Sequence, residues 1–154
     1  MRDIRQLAER FRSAVDTALA AGEFNTDVVF SAFPRGCCGD ASELLAQYLL
    51  ENGVKTVYVC GTYSKDNLHM NYQSHAWLMT DDNLIVDITG DQFRDDPGFL
   101  NYGKSVYVGE EDAFHRLFRV ENSGVHENEG LDVQDSIFGL RLCELYKKIK
   151  AYIK

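Results

Sequence analysis

The stretch FPRGCCGDASELLAQYL, residues 33–49, places two adjacent cysteines directly in front of a helical pattern. Apolar residues recur three and four positions apart, the spacing of one helix face, and they are Ala41, Leu44, Leu45, Tyr48 and Leu49. Asp40 and Glu43 resemble a capping box, and Gly53 suits the left-handed position that follows a helix. We therefore predict an amphipathic helix over residues 39–52.

Cys37 and Cys38 allow four interpretations: packing, a disulfide, a metal site, or a nucleophile beside an inert neighbour. A disulfide between adjacent residues needs a strained peptide geometry, and the chain lacks the two close ligand pairs typical of zinc sites. We therefore expect no metal and no cofactor. A thiolate is the reactive form of cysteine, and the unpaired N–H groups at a helix N-terminus favour it. Cys38 lies at or just before the first turn and is therefore a candidate nucleophile, with packing as the other interpretation.

The rest of the chain predicts two more helices around a set of strands. Helical periodicity covers residues 3–21, with Asp3 as a cap, and about 132–153. Segments rich in β-branched and aromatic residues predict strands at 55–63, 74–80, 83–89, 105–109 and 114–120. The polar segment 121–130 predicts a connector. This order indicates an α+β fold, and a length of 154 residues without a linker or repeat predicts one domain over 1–154.

The composition narrows the class of protein. The chain has 16 Lys and Arg against 24 Asp and Glu, a formal net charge of −8. An acidic surface argues against binding nucleic acid or an anionic membrane, because both require Lys and Arg against phosphate. No apolar run is long enough to cross a bilayer, and the N-terminus lacks the apolar region of a secretory signal. We expect a cytoplasmic protein with reduced thiols and no membrane partner.

A nucleophilic cysteine also needs a base, and the base needs a group that orients it. His75 in SHAW and Asp87 in IVDIT lie in consecutive predicted strands. In a hairpin with a two-residue loop at 81–82, His75 opposes Ile88 and Asp87 faces the other side. A three-residue loop at 80–82 instead places His75 opposite Asp87, with Cβ atoms about 4.5–5.5 Å apart. A His75–Asp87 pair therefore requires an odd loop or a bulge.

The motif GCCGDAS before a helix, SHAWL on one strand and IVDIT on the next resemble the transglutaminase-like branch of the papain-like cysteine enzymes. The resemblance covers roughly residues 36–90. In that branch the cysteine heads a helix that packs on an antiparallel sheet, and the histidine and aspartate come from neighbouring strands. The resemblance implies a papain-like, transglutaminase-like core with added N- and C-terminal helices.

The same resemblance implies the site residues. The family often has glycine two positions before the cysteine and an acidic residue two positions after it, a pattern that fits Cys38 and not Cys37. It therefore implies Cys38, His75 and Asp87 as a catalytic triad. The oxyanion donor that the family supplies from upstream has no assigned counterpart here, and the segment TGDQF after Asp87 has no assigned role.

A triad of this kind implies cysteine-dependent acyl transfer on an amide or peptide bond. With water as the acceptor the chain is a peptidase, amidase or deamidase, and with an amine acceptor it is a transglutaminase or another acyltransferase. The expected partner is a peptide or protein amide substrate. Two other classes stay open: a binding domain that keeps the fold without turnover, and a thiol redox sensor built on Cys37 and Cys38.

Overall fold

A computed structural model describes residues 3–64, 72–131 and 137–154. In these ranges three α-helices accompany a five-stranded antiparallel sheet in the order β4-β3-β2-β1-β5. The helices are α1 (Ile4–Ala20), α2 (Cys38–Glu51) and α3 (Ile137–Lys150), and the strands are β1 (Thr56–Ser64), β2 (Tyr72–Thr80), β3 (Ile85–Asp87), β4 (Tyr107–Gly109) and β5 (Arg119–Glu127). The α+β class predicted from the sequence is confirmed.

The helices form one apolar layer against one face of the sheet. Apolar side chains of α1, α2 and α3 join sheet residues such as Leu78 and Val86 in a single buried cluster. Leu44 and Leu49 of α2 and Phe11 of α1 are fully buried there. Burial of a side chain of this size contributes about 1.5–3 kcal/mol. This layer holds α2, and with it Cys38, against the sheet.

The opposite face of the sheet carries a second cluster, which is largely aromatic. It consists of Val59, Trp77, Ile85, Phe93, Phe99, Tyr102, Phe114 and Phe118. Successive side chains of a strand point to opposite faces. His75 and Trp77 of β2 therefore lie on the aromatic face, whereas Ala76 and Leu78 face the helices. The polar site described below is built on the aromatic face.

A glycine allows the aromatic cluster to close over His75. Gly61 of β1 pairs with His75 of β2. A Cβ atom at Gly61 would lie 2.7 Å from Cβ of Phe118, closer than side chains tolerate. Phe118 in turn packs on the His75 imidazole, with ring centroids 5.4 Å apart. The missing side chain at residue 61 thus makes room for the ring that shields the histidine.

The hairpin between β2 and β3 has a loop with an odd number of residues, as the His75–Asp87 pair requires, but its register differs from the predicted one. Its loop spans residues 81–83, with Asn83 at a left-handed φ of 62°, and not residues 80–82. Leu78 pairs with Val86, where the predicted register paired it with Leu84. The shift of two residues keeps His75 and Asp87 on one face. They are therefore diagonal and not directly opposed neighbours.

Two predicted segments after β4 are wrong. The predicted strand 114–120 contains instead a 3-10 helix, His115–Leu117, followed by the start of β5. Asp112 stabilises that turn by accepting the backbone N–H of His115 at 2.9 Å. The predicted connector 121–130 mostly belongs to β5, an edge strand whose side chains are almost all exposed. An edge strand in solvent lacks the apolar alternation that identifies a buried strand.

The helix ends also differ from the predicted ones. Cys37 is the N-cap residue of α2, which begins at Cys38. Asp40 lies in the first turn, where its carboxylate pairs with Arg141 of α3 at 2.9 Å. Asp3 caps α1 as predicted, by accepting the Gln6 N–H. Residues 132–136 of the predicted last helix lie outside the described residues.

Among the residues that the structure describes, no helix is both long and apolar enough to span a membrane.

Candidate active site

Cys38 is the first residue of the helix α2 and lies at the boundary between the helical layer and the sheet. Its side chain is partly exposed and forms a hydrogen bond with His75. Burial alone would raise the pKa of the thiol, but the hydrogen bond and charge of His75 and the backbone N–H of Ala76 lower it. Cys38 is therefore more acidic than an ordinary cysteine, as a thiol nucleophile requires.

His75 is fully buried, and its two ring nitrogens have different neighbours. Nε2 lies 2.7 Å from Oδ2 of Asp87, so it carries the proton that the carboxylate accepts. The other ring nitrogen, Nδ1, lies 3.4 Å from Nε2 of Gln92. Burial alone would lower the pKa of His75, but the charge and hydrogen bond of Asp87 and the bond to Cys38 raise it to about 9. An imidazolium at neutral pH stabilises a thiolate beside it.

Asp87 ends β3 and is held by donors on both oxygens. Oδ1 accepts the backbone N–H of Thr89 at 2.9 Å. Oδ2 accepts from Nε2 of His75 at 2.7 Å and from Nε2 of His115 at 2.8 Å. Burial alone would raise the pKa of Asp87, but the charge of His75 and the hydrogen bonds from both imidazoles hold it far below its usual range. Asp87 is thus a buried carboxylate with a fixed orientation.

The three residues singled out from the sequence therefore meet in one place. His75 lowers the pKa of the Cys38 thiol through hydrogen bonding and charge, and its Nε2 lies 2.7 Å from Asp87, so that a thiol, an imidazole and a carboxylate lie in series. Comparisons of the chain with protein-family models, with curated proteins and with solved structures give no match. The function must therefore be argued from the site itself.

Gln92 is a site residue that the sequence analysis left without a role. It belongs to the segment TGDQF and lies in a 3-10 helix, Gly90–Phe93, just after β3. Its Nε2 donates to the carbonyl of Thr89 at 3.0 Å and lies 3.4 Å from Nδ1 of His75. Its Oε1 accepts the N–H of Gly36 at 3.4 Å. Gln92 thus links the loop before Cys38 to the imidazole.

A buried arginine anchors the segment that carries Gln92. Arg12 of α1 donates to the carbonyl of Ile88 at 2.7 Å and to both oxygens of Asp91 at 2.8 and 2.9 Å. Its bidentate geometry fixes the position of a carboxylate more strongly than a single bond would. The end of β3 and the residues after it are therefore held against the first helix.

An open cleft of about 410 Å³ borders this site. It is lined by Gln92, which lies beside the imidazole, and by Gly36, which is hydrogen-bonded to Gln92. The other lining residues are polar or charged except for one aromatic ring, and they are Arg35, Gln73, Phe93, Asp95 and Asp96. A polar extended chain could approach the site from this side.

Cys37 lies in a different environment from Cys38. It is fully buried in the helical cluster, and its Sγ lies 3.3 Å from the carbonyls of Val29 and Arg35. Burial, with the nearby charge of Asp40, raises the pKa of its thiol to about 12. All four cysteines are free thiols. Cys37 is thus a packed residue with an unreactive protonated thiol.

His115 is the second site residue that the sequence did not indicate. It is buried, with its Nε2 on Asp87 and its Nδ1 2.6 Å from Oδ1 of Asp112. Its only sequence signal is the spacing Asp112-x-x-His115, which suits a side chain that caps a short turn. His126 instead stacks on Tyr58 of β1 and lies 3.2 Å from Oε1 of Glu43 in α2, and His69 lies outside the described residues.

His75, Asp87 and His115 bring three potential metal-binding atoms within 4.8 Å of one another. The two ring nitrogens, however, lie 2.7 and 2.8 Å from one carboxylate oxygen. Ligands of a tetrahedral zinc ion are about 3.3 Å apart, because each lies about 2.0–2.1 Å from the metal. The observed separations are those of hydrogen bonds. The described geometry is therefore that of a hydrogen-bonded network.

Proposed function

We propose that the chain is a cysteine-dependent enzyme that transfers the acyl group of an amide or peptide bond. The observation that carries the proposal is the hydrogen-bonded series Cys38, His75 and Asp87, with the cysteine in the first turn of a helix. This chemistry needs an acidic thiol, a base and an ionised carboxylate. Cys38, His75 and Asp87 supply them in that order.

In the proposed reaction, Nδ1 of His75 takes the proton of Cys38, and the thiolate attacks the carbonyl carbon of the substrate. The tetrahedral intermediate breaks its C–N bond, and the leaving amine takes the proton from Nδ1. The acyl group remains bound to Sγ of Cys38 as a thioester. The backbone N–H of Cys38, in the first turn of its helix, is the natural donor to the oxyanion.

The acceptor in the second half of the reaction decides the class of enzyme. Water, deprotonated by His75, releases an acid and makes the chain a peptidase, amidase or deamidase. An amine at the same position gives transamidation. The polar cleft beside Gly36 and Gln92 is open and would admit either acceptor, and we favour a hydrolase because the sequence has no signature of an amine-acceptor site.

Two observations argue against the other classes. A redox sensor built on Cys37 and Cys38 needs two accessible thiols, and Cys37 is fully buried with its sulfur between two carbonyls. A binding domain without turnover has no need for a buried carboxylate that orients His75. The buried Asp87 carboxylate is costly to desolvate, and catalysis would make use of it.

The test is to trap the acyl-enzyme. The protein is mixed with a library of peptide amides, quenched in acid and analysed by intact mass spectrometry and peptide mapping. We expect an adduct on Cys38 that hydroxylamine removes, since a thioester reacts with it. The adduct should persist in Cys37→Ala and vanish in Cys38→Ala. Amide turnover that survives Cys38→Ala would overturn the proposal.

A further inference from the structure

Tyr58 of β1 packs against the first turn of α2. Its partner across the sheet is Leu78, a member of the helical cluster, so the Tyr58 side chain faces the helices. A Cβ atom at Gly39, the residue after Cys38, would lie 3.2 Å from the Tyr58 hydroxyl oxygen. Because the Cα–Cβ bonds of a helix tilt toward its N-terminus, this contact places the hydroxyl beside the end of α2 that carries Cys38.

The ring of Tyr58 is held in this position by β5. The His126 imidazole stacks on the ring, with centroids 4.5 Å apart and an interplanar angle of 17°. Nε2 of His126 lies 3.2 Å from Oε1 of Glu43. Glu43 follows Gly39 by four residues and therefore lies on the same side of α2, one turn further along. The Tyr58 hydroxyl is thus directed at the first turn of the helix.

The same end of α2 presents backbone N–H groups that have no partner within the helix. Ala41 is the first residue to join the helical ladder, and its N–H donates to the carbonyl of Cys37 at 2.8 Å. The N–H groups of residues 38–40 precede this bond. Unpaired N–H groups at a helix N-terminus stabilise a negative oxygen. The Tyr58 hydroxyl therefore lies beside the place where an oxyanion on the acylated thiol of Cys38 would form.

The Tyr58 hydroxyl is available as a donor. Tyr58 is half-buried, and no hydrogen bond within the described ranges 3–64, 72–131 and 137–154 engages its hydroxyl. Burial raises the pKa of this hydroxyl above its ordinary value, and the nearby thiols of Cys60 and Cys38 raise it further. The hydroxyl therefore keeps its proton at neutral pH.

We infer that Tyr58 is a catalytic residue whose hydroxyl donates a hydrogen bond to the oxyanion of the tetrahedral intermediate, beside the backbone N–H of Cys38. When Sγ bonds to the carbonyl carbon, an electron pair of the C=O bond moves to the oxygen. The hydroxyl binds this oxygen without giving up its proton, and the pair returns when the C–N bond breaks. The inference rests on the proposed function of Cys38, and it supplies the side-chain donor that the sequence left unassigned.

The position of Tyr58 also leaves the base free to act. Tyr58 faces the helices, whereas His75 lies on the aromatic face of the sheet. The tetrahedral carbon carries its oxyanion and its leaving nitrogen in different directions. With the hydroxyl on one face and the imidazole on the other, the donor can bind the oxygen while the base serves the nitrogen.

The first test separates stabilisation of the oxyanion from reactivity of the thiol. Para-nitrophenyl acetate acetylates a thiolate through a tetrahedral oxyanion, whereas iodoacetamide alkylates it by direct displacement, without an oxyanion. Tyr58→Phe removes the hydroxyl and keeps the ring that stacks on His126. We expect it to slow acetylation of Cys38 at least about tenfold and to leave the alkylation rate unchanged. Release of nitrophenolate and peptide mapping give the two rates.

Tyr63→Phe is the matched control, because Tyr63 lies on the same strand but packs on Phe99 of the aromatic cluster. It should leave both rates unchanged. Equal acetylation of Cys38 in Tyr58→Phe and in the unmodified chain would overturn the inference. A parallel loss of acetylation and alkylation would also overturn it, because Tyr58 would then only hold the thiol in place.

The second test uses the contact at Gly39. Gly39→Ala would place a Cβ atom 3.2 Å from the hydroxyl, so the hydroxyl must shift by a few tenths of an ångström. We expect this change to slow acetylation of Cys38 in the unmodified chain but not in Tyr58→Phe, where no hydroxyl remains to be displaced. Equal slowing in the two backgrounds would overturn the inference, since Gly39 would then act through the helix alone.

The same measurements distinguish failure of the inference from failure of the proposed function. If the folded chain acetylates Cys38 no faster than the urea-unfolded chain does, the proposed function fails and the inference fails with it. If folding accelerates acetylation of Cys38 and Tyr58→Phe keeps the full acceleration, the proposed function holds and the inference alone fails.

Discussion

Cys37 and Cys38 are adjacent in the chain, yet the environment of one side chain raises its thiol pKa and that of the other lowers it. Sγ of Cys37 lies 3.3 Å from two backbone carbonyls within the helical cluster, whereas Cys38 is hydrogen-bonded to His75. The pKa of the first thiol rises to about 12, and the pKa of the second falls below its ordinary value. One peptide unit therefore separates an unreactive thiol from the candidate nucleophile.

This contrast predicts selective alkylation. At pH 7 iodoacetamide should modify Cys38 at least about tenfold faster than Cys37, because each unit of thiol pKa changes the thiolate fraction about tenfold. His75→Ala should remove most of the advantage of Cys38, since it deletes the main charge that lowers the thiol pKa. The rates follow from peptide mapping by mass spectrometry. Equal labelling of the two residues in the unmodified protein would contradict the assigned environments.

The ion pair of His75 and Asp87 predicts how stability depends on pH. The pKa of His75 is about 9 in the folded chain and 6.5 in a free histidine. Its contribution is therefore fully present below about pH 6.5 and is lost as pH rises through 9, an effect of up to about 3 kcal/mol. Urea unfolding at pH 6 and pH 9.5 measures the loss.

The matched variant for that experiment is Asp87→Asn, which removes the charge that raises the pKa of His75. It should abolish most of the loss of stability between the two pH values. At low pH the sign is opposite, because the depressed pKa of Asp87 stabilises the fold above about pH 4 and this contribution disappears as pH falls. A pH dependence unchanged by Asp87→Asn would show that other groups titrate.

In turnover, the same variant should lose about 10³–10⁴-fold in rate.

Metal removal should have no effect on the thiol. The ring nitrogens of His75 and His115 lie at hydrogen-bond distance from Asp87, which is too short for two ligands of one zinc ion. EDTA should leave the alkylation rate of Cys38 and the unfolding temperature unchanged. A loss of either, restored by added zinc, would mean that a metal replaces the shared proton network.

The close approach at Gly61 predicts a cost for one added methyl group. Gly61→Ala should lower the free energy of unfolding by about 1–3 kcal/mol, because its Cβ would meet Phe118 at 2.7 Å. The control is Gly103→Ala, whose Cβ has an ordinary contact at 3.4 Å with Arg94. Chemical denaturation of both variants gives the comparison. Equal stability of the two would show that Phe118 moves freely, and the shield over His75 would then be loose.

The sequence predicted the proximity of His75 and Asp87 better than it predicted the strands around them. A His75–Asp87 pair required an odd loop, and the loop at 81–83 is odd, although it starts one residue later than the three-residue alternative and its register shifts by two. A register shift of two residues leaves each side chain on the same face of the sheet, because side chains alternate with a period of two. The residue directly opposite His75, however, depends on the position of the loop and changes with the shift.

His115 and Gln92 could not be predicted because their contacts depend on irregular backbone. Each lies in a 3-10 helix of three or four residues, too short to give a periodic signal. The contact between His115 and Asp87 also spans 28 residues of sequence. Apolar neighbours such as Phe114 and Phe118 instead suggested a strand there, because a buried aromatic turn and a strand have similar composition.

The candidate thiol and its base belong to different layers of the fold. Cys38 follows Cys37 out of the helical cluster, whereas His75 is packed against Phe93 and Phe118 of the aromatic cluster. The acidity of the thiol therefore exists only while the two layers are docked. Any local opening between them would return Cys38 to the reactivity of a cysteine in an unfolded peptide before the helices themselves melt. The alkylation rate of Cys38 therefore reports whether the helical layer is packed against the sheet.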